Sequence, residues 1–144
     1  MRRGAIAVAM SAIPIGPPQY AETYPATNRS VPIIRRQVEL VLKIWSMEAL
    51  HDEVSAVVSE LAGNAVQHCE GGTFDVSVLR VDRGVRVSVT VSCARRPVMR
   101  PVSLSDECGR GMLIINTLAS QWGVKELLNG KTVWADVLLS PPGP

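Results

Sequence analysis

In VVSELAGNAVQH, residues 57–68, a carboxylate, a carboxamide and an imidazole recur at four-residue intervals as Glu60, Asn64 and His68. At 100° per residue, successive members of this series stand about 40° apart around a helix, so the three groups form one slowly drifting line. Carboxylate and carboxamide oxygens are hard donors suited to Mg2+, the ion that commonly joins a protein to nucleotide phosphates. A carboxylate beside a bound nucleotide can also orient a hydroxyl or a water. Taken alone, an E-x-x-x-N pair is equally the polar margin of an amphipathic helix.

A second set of groups lies further along. Gly109, Arg110, Gly111 and Met112 open a run with helical spacing. Glycines at a helix start let backbone N–H groups approach an anion closely, and the helix dipole favours negative charge there. Residues 109–112 are therefore a candidate phosphate cradle, with helix capping as the plain alternative. The run lacks the last glycine and the preceding strand of a dinucleotide fingerprint. Gly130-Lys131-Thr132 invites a P-loop reading, but a P-loop needs glycine where Lys125 stands, and it must lead into a helix. Here it joins two strand-like segments.

The elements that would position these groups follow from periodicity. Residues 20–25 read as an edge strand. A helix is predicted from Ser30, as N-cap with Pro32 in the first turn, to Trp45, burying Val38, Val41, Leu42 and Trp45. A second helix, residues 47–68, carries Val54, Val57, Val58, Leu61, Ala62, Ala65 and Val66 on one stripe and ends at Gly71-Gly72. Glu60 and Asn64 lie just beside that stripe. Residues 73–81 and 85–91 alternate as strands around a turn at 82–84, and an irregular stretch, 92–108, follows. A third helix then runs through Met112, Ile115, Leu118 and Ala119, and strands 122–128 and 131–139 turn on Asn129-Gly130. Helices packed on one face of a mixed, mostly antiparallel sheet make an α/β (α+β) two-layer sandwich. The organisation expected is a flexible extension, 1–19, a domain over 20–139 and a short tail, 140–144.

Bulk properties narrow the function. A chain of 144 residues, 47% apolar and 19% charged, suits one soluble domain. A net charge of +2 without a basic run argues against direct nucleic-acid binding. Cys69, Cys93 and Cys108 are scattered, as expected of reduced thiols in the cytoplasm, and match no zinc spacing with His51 or His68. The apolar run after Met1-Arg2-Arg3 is broken by Pro14, Pro17 and Pro18. It is too short to span a bilayer, which takes about 20 residues, so no membrane partner is expected.

VVSELAGNAVQH, CGRGMLIINTLASQWGV and GKTVWADV, in this order, resemble the N-box, second glycine box and closing strand of the GHKL (Bergerat-fold) ATPase superfamily. The resemblance spans about residues 20–139. It is nearest to the anti-sigma-factor serine/threonine kinase-like branch, stand-alone regulators common in actinobacteria. It implies a sheet backed by three helices, with ATP and Mg2+ held between helices beneath a lid formed by residues 92–108. Asn64 would hold the Mg2+ on the nucleotide, Glu60 would act as catalytic base, and His68 would lie beside the nucleotide. Gly109, Arg110, Gly111 and Met112 would meet the phosphates, and Thr132 the adenine end. The partners implied are a sigma factor and its antagonist, with a homodimer as the assembly.

One box departs from the pattern. Where the superfamily carries an adenine-binding aspartate this chain has Cys93, followed by Ala94-Arg95-Arg96-Pro97. A thiol is a weak acceptor, and losing a charged hydrogen bond costs about 1.5–3 kcal/mol. Two functions stay open at this point: an ATP-dependent protein kinase, or a binding module that sequesters a sigma factor or antagonist with weak or no ATP binding.

Overall fold

Ser30 begins the first helix without capping it. In the computed structural model, which describes residues 18–92 and 107–140 (the backbone alone for 107–111), the preceding residue Arg29 is already helical and makes no side-chain cap. The Ser30 hydroxyl instead donates to the Pro25 carbonyl at 2.7 Å. The elements are β1 Gln19–Pro25, α1 Ser30–Ile44, a one-turn 3-10 helix Glu48–Leu50, α2 His51–His68, β2 Thr73–Val81, β3 Gly84–Val91, α3 Glu107–Leu118, β4 Gln121–Leu127 and β5 Gly130–Leu138. Ser30 thus ties the end of β1 to the start of α1, a different use of the hydroxyl from the one expected. Among the described residues no helix is long and apolar enough to cross a membrane.

The end of α1 explains why 30–68 is not one continuous helix. Ser46 N–H bonds Lys43 O at 3.1 Å and Met47 N–H bonds Leu42 O at 2.7 Å, with Ser46 at φ 58°. This is a Schellman closure, built on a serine where glycine is usual. The chain turns back through the 3-10 turn, and α2 starts at His51 rather than near Met47. The α2 stripe then packs as its spacing predicts, with Val54, Val57, Val58, Leu61, Ala62, Ala65 and Val66 all buried. Trp45 is partly buried against the same core.

The sheet has strand order β1-β2-β3-β5-β4, and every pairing among the described strands is antiparallel. Val76, Val78, Val85, Val87, Val89, Ala135 and Val137 are buried on the helix side, as the period of two requires. The opposite face is polar. There Arg86 donates to Asp136 Oδ1 and Oδ2 at 2.7 and 2.9 Å, Gln121 donates to Oδ2 at 2.9 Å, and the Arg86 guanidinium stacks 4.2 Å from the Trp134 ring centre. The Arg86 hydrogen bond, against the opposing effect of burial, holds the Asp136 carboxyl below its ordinary range. Directly opposed Arg86 and Asp136 pin the register of β3 on β5.

The second hairpin turns one residue earlier than Asn129-Gly130. Leu127 pairs with Gly130, so Leu128 and Asn129 make the turn. Gly130 is needed for a different reason: a Cβ there would stand 1.8 Å from the Val91 carbonyl oxygen. The first hairpin turns on Asp82 and Arg83 alone, with Arg83 at φ 70°, and Gly84, expected in the turn, already pairs with Val81 as the first residue of β3.

Candidate functional site

A cavity of about 180 Å³ lies between α2, α3 and the helix side of the sheet. Leu61, Asn64, Ala65 and His68 of α2 form one wall. Val89 and Val91 of β3 with Lys131 and Val133 of β5 form the floor, and Met112, Trp122 and Val124 complete it. Trp122 is held in place by its indole N–H, which donates to Asn116 Oδ1 of α3 at 3.0 Å. A cavity of about 150 Å³ with apolar walls accommodates a benzene ring, so this one has the volume for an aromatic ring.

The sequence-predicted site residues divide into three groups. Asn64, His68 and Met112 meet at the cavity. Glu60, one turn earlier on α2, is half-buried and is not among the residues that line it. Thr132 points away: its hydroxyl hydrogen-bonds that of Thr90, 2.7 Å distant, on the face without helices. The neighbouring residue, Lys131, reaches the cavity in its place, because side chains alternate along β5. Sequence reasoning missed Lys131, although the apolar positions Val133, Ala135 and Val137 already showed which parity faces the helices. Gly109, Arg110 and Gly111 fall in the first turns of α3, whose helix begins at Glu107. Cys93 and the stretch 93–106, including most of the expected lid, lie outside the described residues. No group of three His, Cys, Asp or Glu able to hold a metal occurs among the described residues.

The chemistry of this slot is an apolar body with polar groups at one end. Asn64 offers a carboxamide oxygen, a ligand that fits the Mg2+ carried on nucleotide phosphates. Burial first, and the Lys131 charge second, hold the His68 imidazole below its ordinary pKa. The proton is therefore bound less readily in the folded chain than in the unfolded one. His68's contribution to stability is complete above its unfolded value of about 6.5 and is lost as pH falls through that value toward the lower folded one. His68→Gln should accordingly show a smaller loss of urea resistance than wild type between pH 7.5 and 5.5. Equal losses would show that His68 is not the group responsible.

A two-layer sandwich whose cleft is walled by two helices and floored by β3 and β5 is the architecture of a class of nucleotide-binding domains. Residues 24–136 match the histidine kinase-like ATPase domain, and the chain belongs to that family. Among solved structures it is similar to the RsbU and RsbW domains of Rv1364c from Mycobacterium tuberculosis, with a TM-score of 0.64, 21% identity and 87% of this chain covered. The chain spans 33% of that structure's chain, and the likeness is one of fold. No curated protein matches the chain.

Proposed function

We propose that this protein is a cytoplasmic regulator of the anti-sigma-factor type. It takes a magnesium-bound purine triphosphate, ATP by family, into the α2–α3 cleft and acts by partner switching on a sigma factor and its antagonist. The observation that carries this reading is the ring-sized cavity with Asn64 and His68 on its α2 wall, in a chain of the histidine kinase-like ATPase family. The RsbW-like fold supports the same reading.

The roles follow from position. The apolar walls would receive the base, and Asn64 on the α2 wall would hold the metal carried on the phosphates. The backbone N–H groups at the start of α3 would meet the anionic end, where the helix dipole favours negative charge. Mg2+ supplies charge neutralisation on the phosphates when bound. On this reading Glu60, one turn from Asn64, would accept the proton of a serine hydroxyl attacking the terminal phosphate, with the nucleoside diphosphate as leaving group. A homodimer is part of the reading by family.

A second reading has an observation of its own. Glu60 stands outside the cavity, and no carboxylate lines it among the described residues. On this reading the domain is a catalytically silent module that grasps a sigma factor or antagonist. Incubation with labelled ATP, Mg2+ and a candidate antagonist separates the two. Label transferred to a serine and abolished in Glu60→Ala supports the kinase. Antagonist or sigma factor bound without transfer supports the silent module, and neither partner bound removes both.

A further inference from the structure

We infer that the outward face of α1 is a docking seam for an acidic amphipathic helix of a partner protein. The inference does not depend on the nucleotide reading, because it concerns a different surface of the domain. Ile34, Val38, Val41 and Leu42 supply the buried side of α1. Ile33, Leu40 and Ile44 of the same helix are 48%, 48% and 77% exposed among the described residues. With Gln37 they are spaced four, three and four residues apart, the alternation of d and a positions in a heptad. At 100° per residue the four stand within about 60° of one another, so they form one line along the helix. Arg35, about 160° round the helix from Ile33, donates to Ser59 Oγ of α2 at 3.2 Å, so the line faces away from α2.

In the same frame Arg29, Arg36 and Lys43 occupy g. All three are exposed, and none is in an ion pair among the described residues. Glu39, the sole acid of α1, lies 3.8 Å from His51 of α2. The e positions, Ile34 and Val41, are buried in the core. A docked helix therefore meets charge on one flank only, and that flank is basic. A second copy does not suit the seam. Antiparallel pairing sets g against g, like charge on like, and parallel pairing sets g against e, which is here in the core. A helix with apolar a and d residues and glutamates on the facing flank satisfies both the apolar line and the three cations.

Fluorescence anisotropy of the full chain with two lactam-stapled, three-heptad peptides tests this. Both carry Leu at a and d, one with Glu and its twin with Lys at e and g, so that neither pairs with itself. The acidic peptide should bind wild type at least tenfold more tightly than the basic twin, with amide chemical-shift changes concentrated in residues 29–44. Leu40→Asn should weaken the acidic peptide at least tenfold, thermal unfolding confirming that the half-exposed position tolerates the change. Arg36→Glu combined with Lys43→Glu should reverse the preference, which a merely structural role for α1 would not do. Equal binding of both peptides, binding of neither, or shifts confined to another element overturns the inference. A wild-type dimer that Leu40→Asn splits into monomers in sedimentation also overturns it, by giving the seam to a second copy. Each of these failures leaves the nucleotide reading standing, since none involves the α2–α3 cavity.

Discussion

Gly130→Ala is expected to destabilise the fold by about 3 kcal/mol, which for a domain of this size is a fall of roughly 10 °C in the unfolding midpoint. A methyl group there would lie 1.8 Å from the Val91 carbonyl oxygen and 2.8 Å from the Ser92 Cα. Both are backbone atoms, so β5 would have to part from the end of β3. No rotamer change relieves that. Gly63 is the control, because a Cβ at that position on α2 meets nothing within 4 Å. Gly63→Ala removes a helix-interior glycine and should stabilise by up to about 1 kcal/mol. Urea unfolding of both variants checks the pair, and a Gly130→Ala midpoint equal to wild type would show that the strands are not so close.

Asn64→Ala should cost about 100-fold in Mg2+-dependent nucleotide affinity, the scale of one lost bond to a charged group. The carboxamide lies on the cavity wall, four residues before His68 and one turn after Glu60. Alanine is well tolerated in a helix, so the fold should survive the change. Calorimetry with ATP, in Mg2+ or in EDTA, reads the effect. The loss should be large with Mg2+ and small with EDTA. Gln67→Ala, exposed on the same helix, should bind like wild type. An Asn64→Ala protein that binds normally in Mg2+ would take Asn64 out of the site.

Much of the fold was legible because burial imposes periodicity. The α2 stripe and the alternation of β2, β3 and β5 were read correctly from spacing alone. The Schellman closure at Ser46 was not legible, since a serine in the left-handed region carries no signal in composition. The Ser30 hydroxyl was read as a cap because local pattern cannot reveal a strand carbonyl arriving from Pro25. At the cavity, Asn64 and His68 share one wall because four-residue spacing on a helix makes sequence neighbours spatial ones, whereas Met112, expected beside phosphates, lines the same cavity from α3. Lys131 was not identified, because the resemblance pointed to Thr132 and the parity of β5 decides which of the two faces the cleft. The Arg86–Asp136 pair joins positions 50 residues apart, and only register brings them together.

The strand order has a consequence for how the cleft comes into being. β5 is the last strand of the sequence, yet it is threaded between β3 and β4, and it carries two of the residues on the cavity floor. A nascent chain can zip the β2–β3 hairpin early, but its floor stays open until Leu138 has left the ribosome. Ligand capture can therefore begin only once β5 has been made and inserted between its neighbours. Any fragment halted before Gly130 would display valines meant for the interior, a ready substrate for quality-control proteases.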